Sequence, residues 1–214
     1  HVVWGWPPEG HLVGVAKVLL ALVLSPVLGF VVGYLVHKLS HLLTRAAHPR
    51  INQKLRLAQY VTTAALAFSH GANDAQKSMG VLTLVLVLGG FIPRFEVPFW
   101  VMLACATAIT AGILSGGWRI VRTLGFAVFK VRPLHALDSQ LTSGLVILSA
   151  SMMGAPVSTS HVVATSIMGI GASERPHRVH WGKAGEIATT WLITLPASAA
   201  MGALVLLALR PWVV

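Results

Sequence analysis

Long apolar stretches separated by short basic segments make up most of this chain. About 20 mostly apolar residues suffice for a helix to cross the hydrocarbon core of a bilayer. Four stretches approach or exceed that length: 11–36, 58–90, 99–114 and 187–209. The pattern predicts an all-α, polytopic transmembrane helical protein.

The placement of basic residues predicts the topology. Segments 37–57, 115–137 and 173–185 are rich in Lys and Arg, whereas the connection at 91–98 is not. Basic loops stay on the cytoplasmic side of a membrane. The apolar segment 139–172 must then enter and leave from one side, as a re-entrant helical hairpin. We expect four crossings plus this hairpin, with 37–57 forming a cytoplasmic loop that contains an interfacial helix.

Composition supports a membrane protein and argues against nucleic-acid binding. Hydrophobic residues make up 55% of the chain and charged residues only 10%, against about 25% charged in soluble domains. The net charge of +10 would suggest nucleic acid in a soluble protein. Here the basic residues lie between apolar spans, so we expect contacts with membrane lipids and none with nucleic acid. The single cysteine, Cys105, excludes an intrachain disulfide.

An acidic residue near the middle of an apolar stretch is the sharpest chemical feature. Asp74 lies in the predicted helix 58–90, where a carboxylate costs at least about 2.5–3.5 kcal/mol. Such a residue predicts a cation or proton site, or an ion pair with Lys77 one turn on. Its polar neighbours include His70, Asn73, Gln76 and Ser78. We expect Gly71 to break the helix and free backbone carbonyls for a Na⁺-type site, because oxygen ligands suit a hard cation.

A second polar segment interrupts the predicted hairpin. Pro156 cannot continue a helix from the preceding residues, and Ser158, Thr159 and Ser160 stand where a new helix would begin. A helix N-terminus with free amides and nearby hydroxyls binds anions. The alternative is an ordinary capped helix start. His161 is either a proton carrier or a hydrogen-bonding residue that fixes the tip.

One histidine pair has the spacing of a metal site. His37 and His41 are four residues apart, which places them on one helix face. This spacing more often occurs in an interfacial helix with two ordinary histidines.

The two polar segments resemble the signatures of the inorganic phosphate transporter (PiT) family. The segment His70–Gly80, HGANDAQKSMG, is similar to the family's GANDVANA-type motif. Pro156–His161, PVSTSH, resembles the family's PVSTTH, with Ser160 in place of a Thr. The segment Gly116–Gly125 resembles the stretch between them. The three follow the family's order across most of the chain.

The resemblance implies one half of an inverted-repeat transporter. Only the C-terminal half is matched, so we expect a missing N-terminal half or a second chain, and a chain that begins at His1 as a piece of something longer. Three parts are expected: 1–57, a transmembrane helix and basic cytoplasmic linker; 58–185, the transporter repeat, with signature helix 58–90 and hairpin 139–172; and 186–214, the final transmembrane helix.

The resemblance also implies roles for individual residues. Asn73 and Asp74 match the family's cation- and phosphate-site pair, and the Ser158–Ser160 hydroxyls match the tip that cradles phosphate. Gln76 joins this set as a substrate-binding residue, and Lys77 and His161 as accessory residues.

These expectations describe a cation-coupled secondary transporter of inorganic phosphate across the cell membrane. It would use Na⁺ or H⁺ as coupling ion, need no further cofactor and form a homo-oligomer. The alternatives are a transporter of another oxyanion such as sulfate, a metal–phosphate/proton symporter, or a half that only supports an assembly. A membrane enzyme is disfavoured, because adjacent Ser160 and His161 have poor geometry for a nucleophile and its base.

Overall fold

The computed structural model describes residues 14–45 and 51–213, and within these ranges the chain is helical with no strand. The α-helices are α1 (Gly14–Thr44), α2 (Ile51–Leu88), α3 (Phe99–Arg122), α4 (Pro133–Met152), α5 (Thr159–Glu174) and α6 (Trp181–Val213). A π-helical turn, Thr123–Val128, follows α3, and a 3₁₀ turn, Pro176–Arg178, follows α5. The prediction of an all-α protein is confirmed.

Three of these helices are long and apolar enough to cross a membrane, among the residues that the structure describes. The candidate spans are Ala16–Thr44, Phe99–Trp118 and Trp181–Ala208. Helix α2 has 38 residues and is therefore about 57 Å long. Its polar centre at 69–78 lowers its mean hydropathy. For this reason α2 is not among the candidate spans, despite its length.

Helix α2 is continuous, so the predicted break at Gly71 is wrong. The helix runs from Ile51 to Leu88 through the whole polar centre. Glycine permits a break but does not require one. An unbroken helix also pairs its own backbone groups, which matters wherever water is absent.

Helix α1 extends further than predicted. It continues to Thr44, whereas the loop was expected to begin at residue 37. His37 is buried at 1% exposure, and its ring bonds to Asp138 of α4. This tertiary contact holds about two more helical turns against the protein, which the basic composition of 37–57 does not reveal.

Helices α4 and α5 form a helical hairpin over 133–174, where the sequence predicts a re-entrant hairpin at 139–172. Helix α4 ends in a Schellman motif, in which Ala155 donates to the Ala150 carbonyl and Gly154 donates to that of Ser151. Gly154 has a φ of +60°, a left-handed conformation that glycine adopts without strain. Residues 153–158 therefore form a compact tip.

Helix α1 lies along α5 with its backbone in close approach. A Cβ added at Gly33 would lie 2.7 Å from the Ser166 carbonyl oxygen, and one at Gly29 would lie 2.9 Å from that of Val162. A Cβ at Gly169 would collide with the Phe30 carbonyl. Small residues at such positions let membrane helices pack tightly. This packing fixes the register of α1 on the hairpin.

The chain divides into two compact units, residues 1–179 and 180–214. The second unit contains α6, which carries an ion pair of 2.7 Å between Lys183 and Glu186 in its first turns. Beyond them its surface is apolar and exposed, with Leu192, Ile193 and Leu206 as examples. These properties fit the predicted final transmembrane helix.

The glycine contacts predict that α1–α5 packing is sensitive to a single methyl group. Gly33→Ala should lower the free energy of unfolding by about 1–3 kcal/mol, because the methyl group meets backbone that cannot move aside. Thermal unfolding of the detergent-purified protein measures this change. Gly112→Ala is the matched control, since nothing lies within 4 Å of a Cβ there. Equal melting temperatures for the two variants would contradict the packing described.

Candidate functional site

The polar centre of α2 meets the tip of the hairpin through buried hydrogen bonds. Asn73 is 3% exposed, and its Nδ2 donates to the Val157 carbonyl at 3.1 Å and to Asp74 Oδ1 at 3.0 Å. Lys77 Nζ donates to the same Val157 carbonyl. Ser151 Oγ donates to Asn73 Oδ1 at 3.4 Å. The tip is thus tied to α2 by side chains from one helix face.

Asp74 is surrounded by donors. Lys77 Nζ lies 3.1 Å from its Oδ1, and His70 Nε2 lies 3.1 Å from its Oδ2. Thr159 Oγ1 donates to Oδ2 at 3.3 Å. His70 and Lys77 precede and follow Asp74 by one helical turn, so α2 brings them together by its own geometry. The ion pair with Lys77 that the spacing predicted is present.

The carboxylate of Asp74 and the hydroxyls of the tip line one cavity of about 330 Å³. Its lining residues are Leu22, Asp74, Lys77, Pro156, Val157, Ser158, Thr159 and Ser160. At about 30 Å³ per molecule, this volume holds on the order of ten waters, so a small hydrated anion fits.

The start of α5 supplies donors to this cavity. Ser158 is the N-cap, and its Oγ accepts from the His161 amide at 3.5 Å. The first amides of a helix have no carbonyl one turn earlier to bond with, and they carry a partial positive charge. The predicted helix start at Ser158–Ser160 is therefore confirmed, and its N-terminus opens on the cavity.

Most of the residues singled out in the sequence come together here. Gln76 does not: it is exposed on α2 and absent from the cavity lining. Residues two apart point to different faces of a helix, so Gln76 cannot share the face of Asp74. His161 gives its amide to the N-cap, but its half-buried side chain does not line this cavity.

Three contacts at the tip were not foreseen. The Val157 carbonyl accepts from both Asn73 and Lys77, and a backbone acceptor leaves no signal in a sequence pattern. Ser151 of α4 donates to Asn73 of α2. Lys17 of α1 donates to the Met153 carbonyl at 2.9 Å.

A larger cavity lies on another side of α2. It has a volume of about 650 Å³ between α2 and α3, and it is lined mainly by Ala, Ile, Leu and Phe side chains. His70 is its only titratable lining residue among those described. This apolar lining suits contact with an apolar neighbour. The side chains that could bind ions line the smaller polar cavity instead.

Comparisons with known proteins agree on one family. The phosphate transporter family model matches residues 1–202. A probable low-affinity inorganic phosphate transporter of Bacillus subtilis is 39% identical over 193 residues, which cover 89% of this chain and 58% of that protein. A protein of the same description from Rhizobium meliloti gives the same values. One from Mycobacterium leprae is 34% identical, covering 88% of this chain and 46% of the relative.

A solved structure shares the fold. The sodium-dependent phosphate transporter superposes with a TM-score of 0.75 at 21% identity, covering 91% of this chain and 66% of the other. The chain thus spans little more than half the length of the first curated relatives. The relatives are transporters rather than enzymes, and the apolar helices are those of a membrane protein. Because the family model matches residues 1–202, the chain belongs to the phosphate transporter family.

Proposed function

We propose that this chain forms the C-terminal half of a cation-coupled secondary transporter of inorganic phosphate in the cell membrane, with its transport site where α2 meets the hairpin tip. The observation that carries the proposal is the shared cavity lined by Asp74 and by the Ser158–Ser160 hydroxyls. A carboxylate and a helix N-terminus facing one cavity suit a cation and an anion that bind together.

The presence of an acceptor favours phosphate over sulfate. At neutral pH phosphate carries at least one proton, which it donates to a carboxylate, whereas sulfate carries none. Asp74 lies in the same cavity as the donors of the tip. The carboxylate would repel a fully deprotonated anion. The site would therefore distinguish phosphate from sulfate by the proton that phosphate carries.

The cation would take the place that Lys77 now occupies. The Lys77 ammonium lies 3.1 Å from Asp74 Oδ1, and both side chains are about one-third exposed. Ion pairs with that much solvent contribute only about 0–1 kcal/mol, so a Na⁺ ion displaces the ammonium from Asp74 at small cost, while the bond from Lys77 to the Val157 carbonyl remains. Lys77, once released, still lines the cavity and faces the anion. This exchange couples the binding of cation and phosphate.

Transport would require the tip and α2 to separate and rejoin. The hairpin enters the membrane from the side of the basic segments, and the remainder of the carrier closes the cavity from the other side. Access then alternates as the hairpin rocks against its surroundings. A proton in place of Na⁺, with a neutral metal–phosphate complex as cargo, is the alternative within this scheme. Uptake driven separately by Na⁺ and by proton gradients tells them apart.

Asp74→Asn should reduce phosphate uptake at least about tenfold. It removes the charged partner of the cation and a charge-assisted acceptor worth about 1.5–3 kcal/mol. Labelled phosphate uptake by the purified intact carrier in liposomes, with an imposed cation gradient, measures the effect. Gln76→Ala is the control, because Gln76 lies two residues away on the exposed face. Wild-type uptake by the Asp74→Asn variant would remove Asp74 from the proposed site.

Ser160 offers a test of the anion cradle. Ser160→Ala should raise the KM for phosphate about three- to tenfold, since a hydrogen bond contributes about 1 kcal/mol. Ser160→Thr keeps the hydroxyl and should leave the KM near the wild-type value.

The same assay addresses anion identity. Excess unlabelled sulfate should compete poorly with labelled phosphate in the wild-type carrier. Competition as strong as that of unlabelled phosphate would support an oxyanion carrier without preference for a protonated anion.

A further inference from the structure

The base of the hairpin, at the opposite end from the tip, holds a second polar cluster. His37 of α1 and Asp138 of α4 are 1% and 0% exposed, and their Nδ1 and Oδ2 atoms lie 2.7 Å apart. Ser40 Oγ donates to the other oxygen, Oδ1, at 2.8 Å. Both oxygens of Asp138 therefore have partners, and the carboxylate acts as the acceptor of this cluster.

The bond to Asp138 determines which nitrogen of His37 is available. An acceptor at Nδ1 holds the proton there, so Nε2 keeps its lone pair. Nε2 is buried and has no hydrogen-bond partner among the described residues. Buried polar atoms of native proteins nearly always have one. A histidine whose other ring nitrogen donates to a carboxylate is the usual arrangement of a metal ligand and its supporting residue.

Two further ligand groups lie beside His37. One potential ligand atom from each of His37, His135 and Glu174 lies within 4.8 Å of the other two. The His37 and His135 rings are 5.0 Å apart between centroids. A cavity of about 360 Å³ is lined by these three residues together with His41, Arg132 and other neighbours. The cluster is thus mostly buried but accessible to a small ion.

We propose that His37, His135 and Glu174 bind a divalent transition-metal ion, Zn²⁺ being the best match. Two imidazoles and one carboxylate suit Zn²⁺ and leave one of four coordination positions open. An alkali cation prefers oxygen ligands, so this site is chemically distinct from the cation site proposed at Asp74. Asp138 acts as a positioning residue that orients His37 through Nδ1.

The present contacts of His135 and Glu174 are compatible with metal binding. His135 Nε2 lies 3.0 Å from Glu174 Oε2, and its Nδ1 accepts from the Arg132 amide at 3.1 Å. A metal at Nε2 requires the ring proton to move to Nδ1, which releases that amide. The Arg132 side chain, 63% exposed and 3.4 Å from Glu174, is a weak competitor for the carboxylate.

A metal bound here would join three helices at the hairpin base. His37 belongs to α1, His135 to the start of α4, and Glu174 to the last residue of α5. The ion would fasten the two ends of the hairpin to the helix along which they pack. This inference depends on the cluster alone and stands or falls separately from the proposed transport activity.

Cobalt binding tests the site directly. The intact protein, purified without a histidine tag and freed of metal, is titrated with Co²⁺, whose visible absorption reports tetrahedral imidazole and carboxylate ligation. We expect saturable binding that Zn²⁺ displaces. Glu174→Gln should weaken it at least about 100-fold, and Asp138→Asn by about 10- to 100-fold. His177→Ala is the control, because His177 is an exposed histidine that does not line this cavity.

Thermal unfolding with and without Zn²⁺ distinguishes loss of the metal site from misfolding of a variant. Zn²⁺ should raise the melting temperature of the wild type and of His177→Ala, but not that of a folded Glu174→Gln variant. Absence of saturable Co²⁺ binding to the wild type overturns the proposal. Loss of binding in His41→Ala but not in Glu174→Gln also overturns it, because the site would then be the histidine pair on α1.

Discussion

The hydrogen bonds from α2 to the Val157 carbonyl are the contact on which the candidate site depends. One backbone oxygen accepts from Asn73 and from Lys77, and both donors stand beside Asp74 on the same helix face. Because that oxygen belongs to the turn just before α5, the bonds bring a carboxylate and a helix N-terminus to one cavity. The bonds from Thr159 to Asp74 and from Ser151 to Asn73 add to this contact.

The hairpin is held at both ends by polar contacts and along its length by small residues. Lys17 bonds to the tip, and His37 bonds to the base through Asp138. Between them the close approach of Gly33 to Ser166 sets the spacing of α1 and α5. Hydroxyl groups also line the interior: Ser139 and Ser143 both bond to Ser166 at about 3 Å. An interior bonded through hydroxyls holds helices together where lipid offers no hydrophobic driving force between them.

The carboxylates at the two ends of the hairpin, Asp74 at the tip and Asp138 at the base, lie in different environments. At the tip, Asp74 is about one-third exposed and contacts His70, Lys77 and Thr159. At the base, Asp138 is fully buried and both of its oxygens are satisfied by fixed donors. A carboxylate that must release and rebind a cation needs the first environment, because a deeply buried ion pair is costly to break. The second environment suits a permanent structural or ligand-orienting role.

The sequence by itself determined the features that depend on neighbours within a few residues. Apolar length predicted the helices, Pro156 and the following hydroxyls predicted the start of α5, and the spacing of Asp74 and Lys77 predicted their ion pair. These follow from helix geometry, which is local. Only the tertiary structure decided that Asn73 faces the tip while Gln76 faces away, that α2 remains unbroken at Gly71, and that His37 meets Asp138, 101 residues later. Such pairings depend on the register of one helix on another. For α1 on α5 that register is set by close glycine contacts between distant segments, which no local periodicity encodes.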